Sequence, residues 1–353
     1  MFSLKKIIFF LILVQIITAC SSKEQQEREA TEVIASQAEV IARDLNIPWN
    51  LNKDNNTFYV SERIGTITKI DNHSQTTQNV EVTKEIFHEG EGGLLGFILA
   101  PDFDQTKRAF AYHTYRQNGQ VFNRIIILTL KENTWKETSV LLEEIPGGRI
   151  HNGGRIKFGP DGKLYATAGD AGQPDFAQDV ESLAGKILRI ELNGDVPTDN
   201  PFENSYVYSY GHRNPQGLAW DADGTLYSSE HGQSALDEIN LIEPGKNYGW
   251  PLIEGDQQMA NMVSPLFHSG TDTWAPSGIA IKDNKIYVAN LRGAHIRVFH
   301  LTDGTEEVLF ENAGRMRDVL IENDTLYTIT NNRDGRGTPQ EGDDKLFKIS
   351  LLE

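Results

Sequence analysis

The sequence predicts an all-β fold, a six-bladed β-propeller with four-stranded blades. A short pattern recurs six times, and its copies follow one another at intervals of 40 to 62 residues. About fifty residues are enough for one four-stranded blade. After the N-terminal region, no helical periodicity continues over three turns. A β-sandwich is the competing fold, but it does not predict a repeat of this length.

Each copy consists of a turn rich in Asp, Asn and Gly, followed by an apolar strand that contains a tyrosine. Such turns between alternating residues are strong hairpin signals, so each copy predicts two paired strands. In chain order the tyrosines are Tyr59, Tyr112, Tyr165, Tyr227, Tyr287 and Tyr327. Further strands are predicted at residues 66–70, 187–192, 296–299 and 346–349.

The N-terminus predicts an export signal. Residues 1–19 contain two lysines, then a short apolar run, then small residues before Cys20. The residues around Cys20 also resemble the bacterial lipoprotein box, in which the cysteine is acylated and becomes the first residue. A plain signal peptide with an incidental cysteine is the alternative. We expect an exported, periplasmic or cell-surface protein whose lipid anchor is its only membrane contact.

Three segments follow from this: a signal peptide at 1–19, a polar tether at 20–38 and the propeller at 39–353. The formal net charge of the whole chain is −17, and loss of the two signal-peptide lysines leaves −19. A chain this acidic argues against nucleic acid as a partner. Because Cys20 is the only cysteine, a disulfide framework and a thiolate zinc site are excluded within one chain.

The first of four polar, Gly-rich loops contains His151. Asp170 follows at the end of the next predicted strand. The carboxylate could accept a hydrogen bond from one imidazole nitrogen and leave the other as a general base. A structural His–Asp pair that closes a turn fits the spacing equally well.

The second loop offers Arg213 and Asn214, a fork of donors beside an amide. The third loop spans residues 229–240 and combines carboxylates, amides and glycine carbonyls, which suit a hard cation such as Ca²⁺. A solvated turn closed by Asp237 and Glu238 explains the third loop equally well.

The fourth set is basic and consists of Arg292, Arg315 and Arg317. Arg315 and Arg317 are two residues apart and would share one face of a strand. Three arginines at strand ends of an acidic protein indicate a small ligand with several carboxylates or phosphates. Each arginine alone would more often form a surface salt bridge.

An ordered set of motifs resembles the soluble quinoprotein glucose/sorbosone dehydrogenase family, which includes the bacterial aldose sugar dehydrogenases. The resemblance covers about residues 44–350. The motifs are residues 47–49, 61–63, 92–96, 151–155, 211–217, 237–240, 247–251 and 315–319.

The resemblance implies a six-bladed propeller that binds pyrroloquinoline quinone (PQQ) beside Ca²⁺ over the mouth of its channel. His151 then matches the family's catalytic histidine, and Asp170 matches its acidic partner. Arg213 matches the arginine near the reactive quinone carbonyl, with Asn214 alongside.

The remaining arginines match cofactor-binding positions. Arg315 and Arg317 align with the pair that holds the cofactor carboxylates, and Arg292 aligns with a basic residue that is lysine in the glucose enzymes. The backbone carbonyls of Gly232 and Gln233 match the protein ligands of Ca²⁺.

Two residues depart from the family pattern. Glu91 stands where the family usually has glutamine at a cofactor-binding position, and a carboxylate there could repel a tricarboxylate unless it is protonated or turned toward the metal. Gln233 stands where a proline is usual, which leaves the backbone carbonyl available.

The resemblance implies an oxidoreductase that oxidises the anomeric carbon of an aldose sugar to a lactone. Hydride would pass to PQQ with His151 as general base, and electrons would leave to an unidentified acceptor. Two alternatives stay open. One is a binding propeller that has lost the cofactor. The other is a metal-dependent lactonase, which would need a cluster of carboxylates and asparagine on the channel axis.

Overall fold

The computed structural model describes residues 38–72 and 74–352. The predicted signal peptide, the lipidation site Cys20 and the tether up to residue 37 lie outside these residues. Among the helices described, none has the length and apolar character needed to cross a membrane.

The regular secondary structure of the described chain is almost entirely β-strand. The first twelve are Glu39–Ala42 (β1), Pro48–Asp54 (β2), Thr57–Glu62 (β3), Thr66–Asp71 (β4), Ser74–Glu81 (β5), Leu94–Leu99 (β6), Arg108–Gln117 (β7), Gln120–Lys131 (β8), Thr134–Pro146 (β9), Ile156–Phe158 (β10), Leu164–Ala168 (β11) and Lys186–Ile190 (β12). The others are Val207–Tyr210 (β13), Pro215–Trp220 (β14), Leu226–Glu230 (β15), Glu238–Ile242 (β16), Phe267–His268 (β17), Pro276–Lys282 (β18), Lys285–Asn290 (β19), His295–His300 (β20), Glu306–Glu311 (β21), Met316–Glu322 (β22), Thr325–Thr330 (β23) and Leu346–Ser350 (β24). Two four-residue helices, Phe103–Thr106 (α1) and Asp175–Gln178 (α2), lie between strands.

The strands form six four-stranded blades. Blades one to five are β2–β5, β6–β9, β10–β13, β14–β17 and β18–β21, each with its strands antiparallel and in chain order. Blades one and two join into one eight-stranded sheet because the outer strands β5 and β9 pair in parallel over three residues.

Blade six is built from both ends of the described chain. Its order is β22-β23-β24-β1, and β1 pairs with β24 so that Val40 lies opposite Phe347. The first strand of every blade contacts the first strands of its two neighbours, including β22 with β2. The ring is therefore closed, and the predicted six-bladed propeller is confirmed.

The six pattern tyrosines occupy equivalent places. Each lies on the second strand of its blade, and all six are buried. The four further predicted strands coincide with β4, β12, β20 and β24. Apolar side chains from neighbouring blades form the core between them, as where Leu51 and Val60 of blade one meet Ile329 of blade six.

One end of the channel collects the polar loops. Because the first two strands of each blade form a hairpin, every second strand ends where every first strand begins. Loops entering β6, β10, β14 and β22 therefore meet loops leaving β3, β11, β15 and β23. Apart from Cys20, all the predicted site residues lie on or beside these loops or, for Arg292, on the loop that leaves β19, and we call this end the channel mouth.

Candidate active site

His151 and Asp170 meet at the channel mouth. His151 Nδ1 lies 2.7 Å from Asp170 Oδ1, so the predicted contact is confirmed. Since a carboxylate accepts, the Nδ1 atom carries the proton, and Nε2 keeps a lone pair. The His151 side chain is 12% exposed and that of Asp170 is 1% exposed. A histidine that is partly open to solvent is thus oriented by a buried carboxylate.

Two further donors fix the Asp170 carboxylate. Trp250 Nε1 donates to Oδ2 at 2.9 Å, and the Gly172 amide donates to Oδ1 at 2.7 Å. Both oxygens are therefore held in place before any ligand binds. Trp250 belongs to the motif at residues 247–251, but its role could not be seen in the sequence.

The backbone of His151 has a left-handed conformation, with φ of +57°. Such a conformation is uncommon for a residue with a side chain and persists where the surroundings impose it. The His151 amide donates to Glu91 Oε2 at 2.9 Å, and its carbonyl accepts from the Ala171 amide at 3.1 Å. A Cβ on Gly169 would lie 2.1 Å from the His151 carbonyl oxygen, so only glycine fits there.

Glu91 is paired with Arg336 across the mouth. Arg336 Nη1 lies 2.9 Å from Glu91 Oε1. Burial alone would raise the pKa of Glu91, but Arg336 and the His151 amide lower it to about 2. The carboxylate is thus ionised and already neutralised by the protein, which is neither of the two states expected for it from the sequence.

Asp334 links this pair to the predicted cofactor arginines. Its buried carboxylate lies 2.9 Å from Arg315 Nη2 and accepts from the Arg336 amide at 2.9 Å. Burial raises the pKa of Asp334, but Arg315 and Arg317 bring it below its ordinary value. Alternating charges therefore run from Arg315 through Asp334 and Arg336 to Glu91.

Arg317 lies deeper, inside the channel. It donates to Gln216 Oε1 at 2.8 Å and to Ser277 Oγ at 3.2 Å. Burial, with smaller contributions from Arg315 and Arg63, lowers the pKa of Arg317 to about 9, although the Asp334 carboxylate opposes this shift. Arg315 and Arg317 thus lie close together but have different partners, because β22 starts at Met316 with an irregular register.

A second buried arginine, Arg63, faces the same cleft. Its guanidinium donates to the Gly92 carbonyl at 2.9 Å and also to the Gly90 carbonyl, and among the described residues it contacts no carboxylate. Burial lowers the pKa of Arg63 to about 10. The cleft is lined by Trp49, Arg63, Glu91, Gln216, His231, Leu291, Arg317 and Arg336.

Arg213 and Asn214 lie beside the His–Asp pair. Arg213 Nη1 donates to the His231 carbonyl at 3.2 Å, and its guanidinium lies 5.2 Å from the Trp250 ring centroid. Asn214 Oδ1 accepts from the Gly153 amide at 3.1 Å. Trp250 thus contacts both the Asp170 carboxylate and the Arg213 guanidinium.

The third loop is organised by Asp237. Its buried carboxylate accepts from the amides of Gly232, Trp274 and Ala275 at 2.6 to 2.9 Å. Asp237 therefore closes the loop, as the alternative interpretation expected, although it is buried rather than solvated. Gly232 packs against the carbonyl oxygens of Ala235 and Leu236, so backbone oxygens cluster in this loop.

Among the described residues, no three His, Cys, Asp or Glu side chains are grouped to hold a metal ion. Within the same part of the chain, Arg292 is exposed and its side chain has no hydrogen-bond or ion-pair partner. The neighbouring Leu291 carbonyl accepts from Arg315 Nη1 at 3.4 Å.

Several buried polar atoms at the mouth have no hydrogen-bond partner in the part of the chain that the structure describes. They are Arg213 Nε, Asn214 Nδ2, His231 Nε2 and Arg315 Nε. Buried polar groups are normally hydrogen-bonded, so atoms left without a partner at one mouth indicate a ligand or ordered water there. Burial lowers the pKa of His231, which leaves its imidazole neutral at pH 7. Together with the arginines, these atoms fit an anionic ligand rich in acceptors.

Comparison with known proteins finds aldose sugar dehydrogenases that are similar to this chain. The PQQ-bound aldose sugar dehydrogenase of Streptomyces coelicolor superposes with a TM-score of 0.83 and is 38% identical, covering 89% of this chain and 97% of that one. The aldose sugar dehydrogenase of Escherichia coli is 29% identical over 84% of this chain and 90% of its own length.

Quinoprotein glucose dehydrogenase B of Acinetobacter calcoaceticus is 35% identical over 61% of this chain. The match covers 52% of that protein, so the chain spans about half of its length. The family described as glucose/sorbosone dehydrogenase matches residues 45–339. The chain therefore belongs to the glucose/sorbosone dehydrogenase family.

Proposed function

We propose that this protein is a PQQ- and Ca²⁺-dependent dehydrogenase that oxidises the anomeric carbon of aldose sugars to lactones. The observation that carries the proposal is the His151–Asp170 pair, which lies beside arginines and donors that have no partner among residues 38–72 and 74–352. The PQQ-bound relative from Streptomyces coelicolor supports the choice of cofactor.

The residues at the mouth fit PQQ, which bears three carboxylates. Arg315, Arg317 and the exposed Arg292 would hold those carboxylates, and Arg213 with Asn214 would face the quinone oxygens. When bound, PQQ would accept the hydride that leaves the anomeric carbon. Because Arg336 already neutralises Glu91, the carboxylate at this unusual position does not oppose an anionic cofactor.

His151 would take the proton of the anomeric hydroxyl. Asp170 holds the proton on Nδ1, so Nε2 is the basic atom, and the buried carboxylate stabilises the imidazolium that forms. Arg213 would stabilise negative charge that develops next to it, since its position on Trp250 is fixed beforehand.

Ca²⁺ would be held by backbone carbonyls of Gly232 and Gln233 together with ligand oxygens. Hard cations prefer oxygen donors, and the loop that Asp237 closes gathers backbone oxygens. A site of this composition needs no cluster of acidic side chains.

The alternatives from the sequence have less support. A lactonase would need carboxylates and asparagine on the channel axis. In the described chain the Asp318 carboxylate already accepts at Oδ2 from Arg155, Asn50 and the Leu51 amide, so its charge is balanced by a buried arginine rather than left for a metal. The case for a propeller that has lost its cofactor rested on Glu91, whose charge is balanced.

Export and anchoring remain part of the proposal. The sequence around Cys20 supports acylation after cleavage of residues 1–19, which would place the enzyme on the outer side of a membrane. Its partners would be a small sugar and an external electron acceptor.

Reconstitution tests the activity. Purified protein should gain a saturable absorbance of bound PQQ only when Ca²⁺ is present, and aldose should bleach it. His151→Ala should lower the rate of sugar oxidation at least about 10²-fold, the lower range for a general base, while still binding PQQ. Failure of the wild-type protein to bind PQQ would refute the proposal.

A further inference from the structure

The ion pair between Glu91 and Arg336 contacts the catalytic candidate through its backbone. Glu91 Oε1 faces Arg336 Nη1 at 2.9 Å, and Glu91 Oε2 receives the His151 amide at 2.9 Å. The Glu91 amide in turn donates to the Arg149 carbonyl at 2.8 Å. The segment that carries His151 is therefore held at two points by one residue.

The Glu91 carboxylate has little freedom. Its side chain is 15% exposed, whereas that of Arg336 is 48% exposed. The fully buried side chain of Asp334 accepts a hydrogen bond from the Arg336 amide and so fixes the backbone of Arg336. The left-handed backbone conformation of His151 is unfavourable for a residue with a side chain, so the segment keeps it only while its neighbours hold it in place. The hydrogen bond from the His151 amide to Glu91 is one such contact.

We propose that Glu91 is a positioning residue for His151, and that Arg336 holds the Glu91 carboxylate in the place where it receives the His151 amide. The inference rests on the proposed function, which makes His151 the proton acceptor. It assigns to Glu91 a role other than direct binding of the cofactor.

The first test measures exchange of the His151 amide hydrogen in protein without cofactor. Selective ¹⁵N-histidine labelling gives at most nine amide signals, and His151→Gln assigns the relevant one. Glu91→Ala should speed exchange at least about tenfold, because the acceptor is lost. Glu91→Gln should retain most of the protection, since its amide oxygen can still accept.

Arg336 is tested in the same spectra. Arg336→Gln should speed His151 exchange at least threefold, and Arg336→Lys should restore protection. The His212 amide, which donates to the Gly185 carbonyl at 3.2 Å, is the internal control for folding. Exchange in Glu91→Ala within twofold of wild type, with His212 unchanged, would overturn the proposal.

The second test separates positioning from cofactor binding. In reconstituted Glu91→Ala, kcat should fall at least about tenfold while the PQQ dissociation constant stays within threefold. A weakened PQQ affinity with unchanged kcat would make Glu91 a cofactor ligand and refute the positioning role. If the wild-type protein binds no PQQ, the proposed function fails, whereas the exchange experiment still decides the positioning role.

Discussion

Asp170 accepts three hydrogen bonds, from the His151 ring, the Gly172 amide and Trp250. The amide and the indole orient the carboxylate, and the carboxylate in turn selects the tautomer of the imidazole. Together these contacts keep the proton on Nδ1, so that Nε2 is the basic atom of the neutral ring. In the proposed function, the role of His151 therefore depends on one buried side chain that need not contact the substrate.

Asp170→Asn tests this dependence. The amide cannot stabilise an imidazolium, and its NH₂ group can impose the wrong tautomer on His151, so kcat should fall at least about 10²-fold. The comparison is Asp175→Asn on α2, an exposed aspartate where the same substitution should leave kcat within twofold. Sugar-dependent reduction of an artificial acceptor by the reconstituted proteins measures both. Equal rates for Asp170→Asn and wild type would contradict the role of the carboxylate.

Site residues that share a motif could be predicted, and residues that act through distant contacts could not. His151, Asp170 and Arg213 lie in or just after recognisable loops. Arg336 pairs with Glu91 over 245 positions of sequence, and no local pattern announces that contact. Trp250 and Arg63 belong to motifs quoted for the resemblance, which could have drawn attention to them, although not to their partners.

At the scale of elements, the tyrosine pattern works because each copy meets the same surroundings on the second strand of a blade. The apolar ring packs between sheets while the turn before it closes a hairpin. The outer strands were harder to predict, since they carry exposed polar residues such as those at the start of β5. The parallel pairing of β5 with β9 has no signal in the sequence at all.

One of these tyrosines also supports the active loop. The Tyr112 hydroxyl is buried and donates to the Asn152 carbonyl at 3.0 Å. Tyr112→Phe should lower the free energy of unfolding by about 1 kcal/mol. Tyr287, whose hydroxyl has no hydrogen-bond partner among the described residues, supplies the control: Tyr287→Phe should cost less than about 0.5 kcal/mol. Urea denaturation measures both, and equal losses would argue against the bond to Asn152.

Blade two contains a buried histidine with a defined protonation state. Arg124 Nε donates to His113 Nε2 at 2.9 Å, and His113 Nδ1 lies 3.1 Å from the Thr114 carbonyl. Because arginine can only donate, Nε2 must accept, and the ring is neutral. Burial, with a contribution from Arg124, lowers the pKa of His113 to about 4.

This makes stability sensitive to acid. Between pH 6.5 and about 4 the unfolded chain binds a proton at His113 that the folded protein does not, so folding stability is lost as the pH falls through this range. The loss attributable to His113 should approach roughly 3 kcal/mol. The free energies of unfolding of wild type and His113→Gln, plotted against pH across this range, should converge as the pH falls. Parallel curves would contradict the assignment.

At the scale of the whole molecule, one carboxylate joins several blades across the channel. Asp318 Oδ2 accepts from Asn50 Nδ2 at 2.6 Å and from the Leu51 amide at 2.8 Å in blade one. It also lies 3.0 Å from Arg155 Nη1, at the entry to blade three. Arg155 further donates to the Gln216 carbonyl of blade four at 2.8 Å.

Asp318→Asn should lower the free energy of unfolding by about 3–5 kcal/mol, because it leaves the buried Arg155 charge without a counter-charge. Asp324→Asn is the matched control: this exposed aspartate pairs with Lys282 at 3.2 Å, and loss of such a pair costs at most about 1 kcal/mol. Chemical denaturation compares the two variants with wild type. A similarly small loss of unfolding free energy in both variants would show that the Asp318–Arg155 pair does not stabilise the ring of blades.

The pairing of β1 with β24 fixes when the ring can form. β1 is the first strand of the described chain and β24 is the last, yet each needs the other as a neighbour. When the chain emerges from its N-terminus during synthesis or export, β1 has no partner strand until residues 346–350 have emerged. Five blades can assemble in order along the way, but the sixth blade and the ring close only after β24 has emerged.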